Sequence, residues 1–178
     1  KGRGRLERRW VSPVGGLWLS IVLRPRIEPE HAYKLTLMAS IAVAKTLIKL
    51  FRLKTEIKWP NDVLIKGKKV CGILIETKTE NAKLGFAVVG IGINANFDVK
   101  ALPPQLQEFS TTLKDELKEE VTRENLLSTL LEEIEFYYRM FQNGAFYEIL
   151  KEWRTLAYPR TEHVRHVTLK GDRNNNKM

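Results

Sequence analysis

Four short apolar runs lie between Thr55 and Ile93, joined by links too short to hold a helix. Thr55-Glu56-Ile57-Lys58-Trp59 alternates and stops at the turn chemistry of Pro60-Asn61-Asp62. Val63-Leu64-Ile65 passes through Lys66-Gly67-Lys68 into Val70-Cys71-Gly72-Ile73-Leu74-Ile75-Glu76, as in a hairpin. Leu84 to Ile93 follows the polar residues 77–83, which are expected to form the connecting turn. Such links join antiparallel neighbours, so the middle of the chain is expected to be a largely antiparallel meander.

Around it, Leu17 to Leu23, bounded by Gly15-Gly16 and Pro25, reads as a buried strand. From Pro29 to about Leu53, the apolar residues Leu35, Met38, Ile41, Ala42, Leu47, Ile48 and Phe51 recur near every third or fourth place, which predicts an amphipathic helix on the sheet. Asp98 to Phe109 reads as a loop because Pro103-Pro104 cannot continue a helix. Thr122 is expected to cap a helix running through Leu126, Leu130, Ile134 and Tyr138 to the stop signal Asn143-Gly144. A last helix is expected over residues 145–154. The fold class is α+β, a mixed, largely antiparallel sheet with helices packed on one face. Residues 1–154 form the main domain and 155–178 a tail.

With 178 residues, 43% hydrophobic and 29% charged, the chain suits one globular domain and not a disordered one. The longest apolar stretch, Leu35 to Leu50, is cut by Lys45 and Lys49, short of the roughly 20 apolar residues a membrane helix needs. The single cysteine, Cys71, forms neither an internal disulfide nor a cysteine zinc site, which suits a reducing, cytoplasmic setting. A first residue of Lys1 suggests a fragment or processed product. The net charge of +9 is concentrated at the ends: +4 in residues 1–10, +4 in residues 151–178, and +1 in all the rest. A nearly neutral body disfavours a broad nucleic-acid face.

Several segments carry groups suited to anionic chemistry. In Gly2-Arg3-Gly4-Arg5, two glycines permit close backbone approach and two guanidiniums offer forked donors, with Trp10 a face for stacking; a flexible basic tail is the competing account. Lys58 and Asp62 flank a turn that by itself calls for no function. With Val70 facing one side of its strand, Lys69 faces the other, close to Gly72, whose missing side chain leaves room for a ligand; lysine protecting an edge strand is the alternative. Cys71 suits a small core residue better than a nucleophile, since no histidine lies nearby. Gly90-Ile91-Gly92-Ile93-Asn94 lacks the following helix that a dinucleotide turn requires, and instead fits a strand surface kept open for a flat ligand, or a β-bulge. His163 and His166 are too sparse for a metal site, so no metal ligands are assigned.

In order, Gly2-Arg3-Gly4-Arg5 with Trp10, Ser12-Pro13-Val14-Gly15-Gly16-Leu17-Trp18-Leu19-Ser20, Lys58-Trp59-Pro60-Asn61-Asp62, Lys69 to Glu76 and Gly90 to Asn94 resemble the catalytic domain of biotin protein ligases over about residues 1–98. The resemblance implies a class II synthetase-like fold and a two-step reaction, in which biotin and ATP form biotinyl-5′-adenylate and an acceptor lysine then takes the biotin. It assigns Gly2, Arg3, Gly4 and Arg5 to a loop over the adenylate, and Trp10 and Asn94 to the adenine. Lys69 would bridge carboxylate and α-phosphate. Lys58 and Asp62 would lie near the phosphate and the incoming amine, with Arg5 a further catalytic cation. Arg3, Lys69, Gly72, Leu74 and Gly90 would hold biotin.

The same resemblance implies Mg²⁺ with ATP and a biotin carboxyl carrier protein as acceptor; the composition argues against a membrane partner and disfavours a nucleic-acid one, and a homodimer is one open arrangement. The family's preceding strand and Ser-Thr-Asn segment do not precede Gly2 here, and the tail would be a remnant of a small C-terminal β domain; truncation at both ends, with reduced activity, is therefore the expectation. A lipoate or octanoate ligase is the enzymatic alternative, and a basic nucleic-acid-binding module the alternative from another class.

Overall fold

The computed structural model describes residues 2–6 and 8–158; the expectations placed on the tail beyond Tyr158, including His163 and His166, lie outside the described residues. A two-stranded hairpin, β1 (Gly2–Arg3) and β2 (Arg9–Trp10), precedes β3 (Leu17–Leu23). The long helix α1 (Tyr33–Phe51) leads into β4 (Thr55–Lys58), β5 (Asp62–Ile65), β6 (Lys68–Glu80) and β7 (Lys83–Ile93). Short helices α2 (Pro104–Gln107) and α3 (Leu113–Leu117) come next, then α4 (Arg123–Gln142), α5 (Phe146–Leu156) and β8 (Ala157–Tyr158). The main sheet runs β3-β7-β6-β5-β4-β8, antiparallel throughout except for the parallel β4–β8 pair. The α+β architecture, mixed sheet and helices on one face are as the sequence predicts.

Helix α1 departs from the expected amphipathic pattern. Leu35, Leu37, Met38, Ile41, Ala42, Val43, Ala44 and Leu47 are all buried, on every side of the helix. A second tier explains it: α4 and α5 pack on the face of α1 turned away from the sheet, making it the centre of the core. Its buried hydroxyls stay paired, Ser40 donating to the Leu37 carbonyl and Thr46 to that of Ala42, each at 2.8 Å.

Four local expectations are corrected. β3 is half-buried, with Val22 52% exposed, because it is an edge strand paired only with β7. Residues 77–83 are mostly strand; β6 continues to Glu80 and the turn is confined to Asn81 and Ala82, both at positive φ (51° and 62°), so the Lys/Thr-rich segment is a solvated hairpin arm. Pro104 opens a short helix in the presumed loop, since a proline at the first helical position gives up only an N–H that has no partner there anyway. Thr122 precedes α4, yet its side chain makes no capping bond; Asn96 instead fixes the approach to that helix, exchanging hydrogen bonds with the Val121 backbone at 2.7 and 2.9 Å.

Candidate active site

Strand alternation divides the two faces of the sheet. Ile73, Ile75, Val89, Ile91 and Ile93 point into the core with α1, while Leu74, Gly72, Gly90 and Gly92 belong to the opposite face. Register then aligns the small residues. Trp18, Gly92, Gly72 and Asp62 form one row across four strands, and Ser20, Gly90 and Leu74 form the next. The β1–β2 hairpin folds over this face and partly covers an open cavity of about 930 Å³, with Arg3, Arg5, Trp10, Asp62, Lys69 and Asn94 in its wall.

Trp10 is seated directly on the two glycines. A β-carbon at Gly72 would lie 2.6 Å from its ring, and one at Gly92 2.8 Å from it. The room expected beside Gly72 is therefore taken by an indole of the protein itself. Gly90 differs: a β-carbon there would meet only Leu74, at 3.5 Å, so this glycine opens onto the cavity. Trp18 meets Trp10 edge to face, with ring centres 6.1 Å apart, and donates its indole N–H to the Pro13 carbonyl at 3.2 Å. The Trp10 indole nitrogen is buried without a partner.

Lys69 reaches this hollow because of a bulge. The sequence reading sets Lys69 close to Gly72, yet strict alternation would place the two on opposite faces; what brings them together is the β5–β6 register shift between Val63↔Cys71 and Leu64↔Lys69, which leaves Val70 as the extra residue. Lys69 thereby joins Gly72 on the open face, its Cε 3.1 Å from where a Gly72 β-carbon would stand. Its ammonium lies 2.7 Å from Asp62 Oδ1 and 4.9 Å from the centre of the Trp10 ring. The Asp62 oxygen has no aligned hydrogen-bond donor, so the pair is held by charge.

Two guanidiniums of the hairpin reach across to the main sheet and its turn. Arg3 pairs with Glu76 at 3.0 Å, and Arg5 Nη1 donates to Asn61 Oδ1 at 3.5 Å. Asn61 in turn donates from Nδ2 to the Ile73 carbonyl at 2.8 Å, and its own carbonyl accepts the Ile73 N–H at 2.9 Å. The sequence by itself assigns no role to Glu76 or Asn61. Glu76 was within reach, since it falls on the same alternating face as Leu74. Asn94 is 3% exposed and donates from its amide to the carbonyls of Thr111 at 3.0 Å and Lys69 at 3.4 Å. Lys58 is exposed at the end of β4, in register with Asp62, and is not part of the cavity wall. Cys71 is fully buried, and burial pushes its thiol far above the ordinary range, so it is a core residue with no nucleophilic character.

The wall thus pairs cations with flat apolar surface, an arrangement that can hold two anionic groups close together beside a planar ring system. Among the described residues no three His, Cys, Asp or Glu side chains gather as metal ligands, and no helix is long and apolar enough to cross a membrane.

The model of the Biotin/lipoate A/B protein ligase family matches residues 1–94. The chain is 36% identical over 171 residues to the bifunctional ligase/repressor BirA of Bacillus subtilis, covering 96% of this chain and 53% of that protein. It is 40% identical over 95 residues to the biotin–[acetyl-CoA-carboxylase] ligase of Paracoccus denitrificans, covering 52% of this chain and 40% of that protein. The chain spans about half the length of the curated BirA relatives it matches over most of its own length. Its fold is similar to that of the biotin protein ligase of Aquifex aeolicus in complex with biotin and ATP: TM-score 0.79, 32% identity, 88% of this chain and 64% of that one.

Proposed function

The chain belongs to the Biotin/lipoate A/B protein ligase family, and from that premise we propose that it ligates biotin to protein with ATP as the energy source. In the first step a biotin carboxylate oxygen bonds to the α-phosphorus and pyrophosphate leaves. In the second, the ε-amine of an acceptor lysine bonds to the acyl carbon, AMP leaves, and an amide remains. A biotin carboxyl carrier domain is the proposed acceptor, in keeping with the name of the Paracoccus denitrificans relative.

The observation that carries this reading is the placement of Lys69, whose ammonium stands in the cavity between Asp62 and Trp10 with Arg3 and Arg5 in the same wall. Bringing a carboxylate against a polyphosphate sets two anions in contact, and fixed cations between them remove the repulsion. Trp10 offers a ring face for the adenine. Gly90 and Leu74 leave an open apolar floor suited to the ring system and valeryl chain of biotin. For the second step an acceptor ammonium must shed a proton, and of the two cavity carboxylates Asp62, beside Lys69, is the one assigned to take it.

Mg²⁺ enters as part of the ATP substrate. The carboxylates of the cavity, Asp62 and Glu76, are already paired with Lys69 and Arg3, and this donor set suits an ion carried by phosphate oxygens better than a caged one.

The deciding experiment is exchange of radiolabelled pyrophosphate into ATP. Exchange that requires biotin, and that excess lipoate does not suppress, is the expected result. Exchange supported by lipoate but not by biotin, or none with either acid, overturns the reading.

A further inference from the structure

We propose that Trp18 is a positioning residue: its ring is the lateral stop that seats the Trp10 indole at a fixed distance from Lys69, and the turn at residues 13–16 holds that stop in place. The kinetic consequence rests on the ligase reading; the geometry does not. Trp10 belongs to a two-stranded hairpin outside the main sheet, so no backbone ladder ties it to the surface on which its ring lies. Beneath the ring, Gly72 and Gly92 offer bare main chain. Such a floor admits a flat ring at close range and does nothing to keep it from sliding. Along the row of Trp18, Gly92, Gly72 and Asp62 the indole rests on the two middle places, and only the ends carry side chains that can stop it. At one end stands the Asp62–Lys69 pair, with the ammonium 4.9 Å from the centre of the indole. At the other stands Trp18, edge to face at 6.1 Å.

Trp18 is itself fixed from three directions. Its indole N–H donates to the Pro13 carbonyl at 3.2 Å, an oxygen that also accepts the Gly16 N–H at 3.4 Å and so closes the turn. Phe97 backs it, buried, with ring centres 6.2 Å apart. Gly16 lies so close that a β-carbon there would fall 1.9 Å from the Trp18 ring. The turn is pinned by Asn96: Gly15, at a φ of 102°, accepts the Asn96 N–H at 2.9 Å, and a β-carbon at Gly15 would stand 2.2 Å from the Asn96 carbonyl oxygen. Asn96 also exchanges hydrogen bonds with Val121, which braces the stop against the link between α3 and α4. The base and α-phosphate of one nucleotide lie a set distance apart, so a ring face and an ammonium that serve both must be held at a matching separation.

The test has two arms. In the first, the four tryptophans are replaced by 5-fluorotryptophan, and the Trp10 ¹⁹F resonance is identified by its loss in Trp10→Phe. Trp18→Leu removes the stop from within the cavity, whereas Gly16→Ala, at a buried position outside the cavity wall, pushes it from behind. Each is expected to move the Trp10 resonance while circular dichroism still reports a folded sheet. A resonance unmoved in a folded variant overturns the proposal. In the unsubstituted protein, NOEs between ring protons of Trp10 and Trp18 are expected, and their absence overturns it even where neither variant folds.

In the second arm, Trp18→Leu is expected to raise KM for ATP in biotin-dependent exchange about tenfold, with KM for biotin changed less than about twofold. In a Trp10→Ala background the same substitution is expected to change KM for ATP less than about twofold, since the residue it acts through is gone. No rise, a rise shared equally by the two substrates, or one that persists in the Trp10→Ala background overturns the proposal, because Trp18 would then act on the fold or on the ligand and not through Trp10. Absence of exchange in the unsubstituted protein counts against ligase activity and leaves the spectroscopic arm standing.

Discussion

Lys69 Nζ and Asp62 Oδ1 stand 2.7 Å apart on the open face of the sheet, each side chain about three-quarters shielded from solvent. One charge contact near 4 Å is worth roughly 4 kcal/mol at an effective dielectric of about 20, and about 1.4 kcal/mol is tenfold in rate. Lys69→Ala is therefore expected to slow biotin-dependent pyrophosphate exchange by about a hundred- to a thousandfold. Pre-steady-state measurement would place that loss in the adenylation step; a loss confined to transfer would contradict the assignment.

Asp62→Asn keeps the shape of the side chain and removes its capacity to take a proton. Transfer from isolated biotinyl-adenylate to an acceptor lysine is expected to fall about a hundredfold, with a smaller effect on exchange. Equal losses in both half-reactions would mean that the carboxylate serves only to hold Lys69.

The glycines of the open face should respond differently to one added methyl group. At Gly72 the new carbon would stand 2.6 Å from the Trp10 ring, so Gly72→Ala is expected to displace that indole, seen as a change in tryptophan emission without ligand. At Gly90 the nearest atom is Leu74 O at 3.5 Å, so Gly90→Ala should leave emission and Tm unchanged while weakening biotin binding in calorimetry. Unaltered biotin affinity would remove Gly90 from the pocket.

Glu116 supplies a pH dependence. Burial by itself would raise its carboxyl, but hydrogen bonds from Lys66 and Thr111 and the charges of Lys66 and Lys118 outweigh this and hold it below the usual carboxylate range. A carboxyl depressed on folding stabilises the native state above its unfolded pKa, and that contribution is lost as pH falls through the lower, folded value. Thermal melts of Glu116→Gln should show a Tm a few degrees below the unsubstituted protein at pH 7, on the order of 1 kcal/mol, with the two curves converging in acid. Parallel curves down to pH 3 would show the carboxylate to be indifferent.

Cys71 should resist iodoacetamide in the folded protein and react once denatured, because its buried thiol is held in the protonated form. Mass spectrometry of the alkylated protein gives the answer directly, and rapid native labelling would contradict the burial.

The strands are largely legible because alternation and turn residues are local signals: Leu17–Leu23, the start of β4 and the end of β5 follow from them. What escaped depends on partners far along the chain. The burial of α1 on all sides depends on α4 and α5, which no window around Leu35 contains. The parallel β8 joins the sheet through two residues only, too few to carry a pattern. At the site, the sequence points to Trp10, Arg5, Lys69 and Gly90, which line one cavity, and also to Lys58, which stays outside it. The bulge at Val70 left no trace, because a register shift is a relation between two strands and appears in neither alone.

The row of Trp18, Gly92, Gly72 and Asp62 carries one more implication. A slip of β6 against β7 by one residue would exchange inward and outward side chains, driving isoleucines into the hollow and glycines into the interior. Substrate recognition and hydrophobic cohesion therefore share one alignment, and an error of register costs both at once. A slipped molecule should lose the hollow together with the fold, whereas a single added side chain on the open face can fill the hollow and leave the fold standing.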